Sequence, residues 1–97
     1  MKIDTFILNI LRKVESLKEG VIAYAYLDGN EPMTHTWYCV CLNDYEMYTT
    51  DKRFKALSKA WHTAAKALGI KVIFAYCQPS EERLESLANA DNLFLNV

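Results

Sequence analysis

TDKRFKALSKAWHTAAKALG, residues 50–69, runs straight into IKVIFAYC, residues 70–77. Phe54, Leu57, Ala60, Trp61, Ala64, Ala65 and Leu68 recur at steps of three and four. That spacing is one stripe of a 3.6-residue helix. Thr50 is placed to cap the first turn, with Asp51 beside the positive end of the dipole. Gly69 supplies the left-handed residue that stops the helix. Ile70 to Cys77 follows as a short, almost unbroken apolar run, the pattern of a central strand covered on both faces. A helix that feeds such a strand at once is half of a parallel crossover unit, so the chain belongs to the mixed α/β classes.

Working outward, Asp4 or Thr5 can open a first helix. Its apolar stripe is Phe6, Ile7, Ile10, Leu11, Val14 and Leu17, and Gly20 ends it. Val21 to Leu27 reads as a strand, residues 28–33 as a turn-rich loop, and Thr34 to Leu42 as a second strand. Asn43-Asp44 marks a tight turn before a short third strand, Tyr45 to Thr49. Antiparallel pairing sets Leu27 opposite Thr34, Tyr24 opposite Trp37 and Val21 opposite Val40. Ser80 caps a third helix with Glu81 and Glu82 in its first turn, and Leu93 to Val97 makes a last edge strand. The expected fold is one α+β domain over residues 1–97 in the order α-β-β-β-α-β-α-β. It is a two-layer sandwich whose antiparallel meander extends into a mixed five-stranded sheet.

Two families are similar in element order. Without its first helix the order resembles that of ribonuclease H-like domains. Tyr26-Leu27-Asp28-Gly29 is similar to that family's first strand, where an Asp-Gly pair supplies a metal carboxylate. The resemblance implies such a role for Asp28 alone. Lys55 and Cys77 stand near where the family has its helix glutamate and next aspartate, so two-metal hydrolysis is not implied. Residues 4–69 read α-β-β-β-α, which resembles double-stranded-RNA-binding domains. Ala60, Ala64, Ala65 and Leu68 are similar to that family's alanine-rich second helix, and Lys52-Arg53 to its basic pair. Trp61 stands where a further basic residue is expected.

Composition narrows the function classes. The formal net charge of −1 favours neither nucleic acid nor a membrane as partner. With 52% hydrophobic residues the chain can build a core without metal or disulfide. No signal peptide or spanning segment is expected, and three cysteines without framework spacing read as free thiols in the cytoplasm. His35, Cys39, Cys41 and Cys77 are soft-metal ligand types, but C-x-C on a strand is expected to splay its sulfurs. No metal or other cofactor is therefore expected. No phosphate loop or catalytic set is visible, so an enzyme of unknown type ranks third.

The leading expectation is a non-catalytic interaction module that binds a protein partner or itself. In the expected register one sheet face is small and aliphatic. The other carries Tyr24, Tyr26, His35, Trp37 and Tyr48, rings with polar tips that suit a contact surface. The alternative is nucleic-acid binding through a basic stripe on the central helix: Lys52, Lys55, Lys59, His62 and Lys66.

Overall fold

In the computed structural model, residues 3–30, 36–78, 80–82, 85 and 95–96 are described. They form α1 (Ile3–Ser16), β1 (Ala23–Asn30), β2 (Thr36–Leu42), α2 (Tyr45–Thr50), α3 (Lys52–Ala67), β3 (Ile70–Tyr76) and a two-residue β4 (Leu95–Asn96). Glu81, Glu82 and Glu85 are helical, where the third helix is expected. The strand order is β3-β2-β1-β4. β1 and β2 are antiparallel, β2 and β3 parallel, and β1 and β4 parallel. The fold is thus a mixed α+β sheet with helices packed on it.

Helices α1 and α3 lie over one face of the sheet, α1 against β1 and α3 against β3. The periodicity of α1 predicts its buried side: Phe6, Ile7, Ile10, Leu11 and Val14 are all buried. They meet Ala23, Ala25, Val40 and Leu42, which are fully enclosed in the same core. Alanines on β1 let the helix approach closely. Glu15 fastens the end of α1 to the sheet by accepting from the Ala23 N–H at 3.2 Å.

Tyr45–Thr50 is a helix, not the expected third strand. Six residues of alternating polarity fit a single helical turn as well as a strand. Asp44 decides between them: its carboxylate accepts from the Met47 N–H at 2.9 Å, an N-cap rather than a hairpin turn. The Thr49 and Thr50 hydroxyls donate back to the Tyr45 and Glu46 carbonyls. Met47 turns inward and is buried. The meander that both family resemblances require therefore loses its last strand, and the five-stranded sheet with it.

The cap of α3 also moves by one residue. Asp51, not Thr50, accepts from the Arg53 and Phe54 N–H groups at 2.8 and 3.1 Å. Gly69 ends the helix at φ 76, as the sequence leads one to expect. On α3 Phe54 and Ala65 are buried, Trp61 and Leu68 pack half-buried against the same core, and Leu57 and Ser58 are half-buried, whereas Ala60 and Ala64 are exposed. Alanine sits equally well on either side of a helix, so the aromatic residues set its rotation. Trp61 and Phe54 both pack on Phe74, with centroids 5.7 and 5.4 Å away.

The β1–β2 register differs from expectation by four residues: Tyr24 faces Cys41 and Leu27 faces Tyr38. A bulge between Leu27 and Gly29 lets β1 continue to Asn30, through residues expected in the loop. Because four is even, the side chains of Ala23–Leu27 and Thr36–Leu42 keep their expected faces.

Two capping carboxylates make stability acid-sensitive. The Met47 N–H, then the Lys18 ammonium at 2.9 Å, hold Asp44 below the usual carboxylate range. The Arg53 guanidinium, then the Phe54 N–H, do the same for Asp51. A lowered folded pKa means that the unfolded chain takes up protons first as the pH drops. The stabilisation is complete well above the ordinary Asp value of about 3.9 and is lost as pH falls through it to the folded pKa. Asp44→Asn keeps an acceptor and removes the charge. Its urea midpoint should lie below that of the parent near pH 7 and converge with it in acid; a gap that persists or widens in acid would contradict this origin.

Candidate functional site

Lys52, Lys55, Lys59, His62 and Lys66 are all exposed on α3, at steps of three and four. None forms a salt bridge among the described residues. Beside this stripe runs β3, the outer strand of the sheet among the described residues. It is not the central strand its apolar run predicts. Lys71, the exposed second residue of the run, is a charge of the kind that marks an edge.

A groove lies between α3 and β3. One cavity of about 360 Å³ is lined by His62, Lys66, Gly69, Ile70, Lys71 and Val72. A second, of about 470 Å³, is lined by residues that include Lys55, Ser58, His62, Val72, Ile73 and Phe74. The two share His62 and Val72 and so lie next to each other along β3. The groove's floor is apolar and its rim basic, and no carboxylate among the described residues lines either part. The His62 ring meets Phe74 edge-on at 5.4 Å. At the C-terminal end of β3, Tyr76 packs edge-on against Tyr45 at 5.2 Å. Tyr45 is 62% exposed and Tyr76 37%.

The backbone of β3 has its own alternation. The Cys77 N–H donates to the Leu42 carbonyl, which turns residue 77 toward β2. In a parallel ladder alternate residues direct both N–H and C=O to the same neighbour. Val72, Phe74 and Tyr76 therefore direct theirs outward, where no strand pairs with them among the described residues.

No known protein family, curated protein sequence or solved structure matches this chain. Chemistry and geometry alone carry the functional reading.

The expected aromatic contact surface is divided. Tyr24 is 3% exposed and belongs to a second, smaller core with Cys39 and Cys41, against which Ile22, Tyr26, Ala75 and Cys77 pack. It is enclosed within this chain and does not lie on an open surface. Tyr26 and Trp37 are half-buried on that same face. The Trp37 Nε1 is buried without a hydrogen-bond partner among the described residues. The Lys71 ammonium lies 5.1 Å from the Trp37 ring, a cation–π contact. Tyr48 is elsewhere: on α2 it packs on the principal core, 6.5 Å from Phe54. The loss of the third strand moved it. His35 lies outside the described residues.

The thiols converge instead of splaying. Cys39 and Cys41 have sulfurs 3.8 Å apart, and Cys77 Sγ lies 3.0 Å from Cys41 Sγ. The hydrogen bond to Cys39, and then burial, raise the Cys41 pKa, so this thiol is held neutral and is a poor nucleophile. Among the described residues no group of three or more His, Cys, Asp or Glu is arranged to hold a metal ion. Nor is any helix among them long and apolar enough to cross a membrane.

Sequence reasoning found the basic side of this groove but missed its floor. Ser58, Val72 and Phe74 carry no functional signature. Their role depends on β3 being an edge.

Proposed function

We propose that the chain is a non-catalytic module that binds a protein partner, and that it does so through the groove between α3 and β3. The observation that carries this reading is the outward-facing backbone of β3, an apolar strand at the edge of the described sheet, beside cavities that no described residue fills. Open strand edges invite pairing with another chain. Neighbouring exposed rings, here Tyr45 and Tyr76, suit the anchors that dominate interface energy. The aromatic sheet face is the weaker candidate, because Tyr24 is enclosed. Three free thiols fit a reducing compartment such as the cytoplasm.

Nucleic-acid binding is the second reading, favoured by the exposed cations of α3. Affinity capture from the native cell, with and without nuclease, separates the two. A protein partner should survive nuclease and be lost with Ser58→Trp, which plugs the groove from the helix side. Arg12→Ala, on the exposed face of α1, should leave it bound. If only nucleic acid is recovered, and its binding loses salt dependence when Lys55, Lys59 and Lys66 are neutralised, the second reading replaces the first.

A further inference from the structure

We infer that the occupant of the groove is an extended, acidic segment of the partner, added to the sheet as a strand alongside β3; this rests on the protein-binding reading of the same groove. The extended form follows from the backbone. Val72, Phe74 and Tyr76 present their N–H and C=O groups at the two-residue spacing of a strand, and only another extended chain matches that row. Alternate side chains of an added strand would drop toward Val72, Phe74 and the His62 ring, into the cavities of about 360 and 470 Å³.

The acidic character follows from charge. An added strand has two faces. On the groove face it meets Lys55 and Lys66 of α3, and on the opposite face it meets Lys71, whose ammonium stands over Trp37. No carboxylate among the lining residues neutralises these cations. Acidic side chains on either face of the incoming strand would find a cation within reach, which steers encounter and fixes partner choice. The same cations disfavour a second copy of this chain. Pairing β3 with β3 would bring two sets of lysines together, and a lysine on an edge strand is a known guard against edge-to-edge pairing.

The test uses the full chain and a displayed library of random peptides, selected at low salt. Enriched peptides should alternate apolar residues and carry net negative charge. Reversal of charge in Lys55→Glu/Lys66→Glu should weaken their binding at least about tenfold, because like charges then face each other. Both lysines are exposed, so the variant should fold, and circular dichroism checks that it does. N-methylation of the selected peptide at alternate residues should abolish binding in one frame and be tolerated in the other. That pattern belongs to strand addition and not to a helix lying in the groove.

Neutral or basic selected peptides, indifference to charge reversal, or tolerance of N-methylation in both frames would each overturn the acidic strand. So would a library that yields no binder. If those peptides are still displaced by Ser58→Trp, the groove remains a protein-binding site and only the occupant is wrong. Sedimentation that reveals a dimer, dispersed by Ser58→Trp, would identify the occupant as a second copy and overturn the inference.

Discussion

Phe54→Ala is expected to lower the unfolding free energy by about 3 to 5 kcal/mol. Phe54 is 3% exposed and its ring stands edge-on to Phe74 at 5.4 Å, with Tyr48 on its other side. It is where α2, α3 and β3 meet. Small domains are stable by only about 5 to 15 kcal/mol, so the variant should be near its limit at physiological temperature. Leu57→Ala provides the contrast. Leu57 is half-buried and lies outside the principal core, although the repeat of α3 puts it on the apolar stripe. Its loss should cost clearly less. Urea denaturation of both variants measures the difference. Equal costs would mean that α3 is rotated toward Leu57 and that Ser58 and His62 do not face the groove.

Ile10→Ala should cost about 2 to 5 kcal/mol, with the higher part of the range expected if α1 cannot settle onto the sheet. Ile7, Ile10, Leu11 and Val14 are all fully enclosed over Ala23, Ala25, Val40 and Leu42. The alanines of β1 beneath have little side chain to move into the cavity. Asn9→Ala, one residue away on the exposed side, should stay within about 0.5 kcal/mol of the parent. A small effect at Ile10 together with an equal one at Asn9 would place α1 on the wrong side of the sheet.

The amphipathic repeats of α1 and α3, the glycine stop at Gly69 and the strand character of Ile70–Tyr76 are written locally. They depend on contacts a few residues apart. So does the division of β1 and β2 into an alanine-bearing face and an aromatic face. That division survived an error of four residues in register because side chains alternate with period two. The basic stripe of α3 was legible for the same reason. Charged residues that recur at helical spacing opposite an apolar stripe fall on the exposed side of the helix whatever packs beside it.

Tyr45–Thr50 was not legible, because six residues satisfy either period. The choice rested on one hydrogen bond from the Met47 N–H to Asp44. The side of α3 that is buried was legible only in part, since its alanines weigh nothing and the rings of Trp61, Phe54 and Phe74 had to find one another across the fold. Whether an apolar strand is central or at an edge depends on which strands pair with it. That pairing joins residues far apart in the chain, such as Thr36 with Ile70. Sequence by itself determined the local elements, the two faces and the cations. Only the tertiary structure made β3 an edge, enclosed Tyr24 and opened a groove beneath those cations, because each of these is a relation between distant segments and not a property of either one.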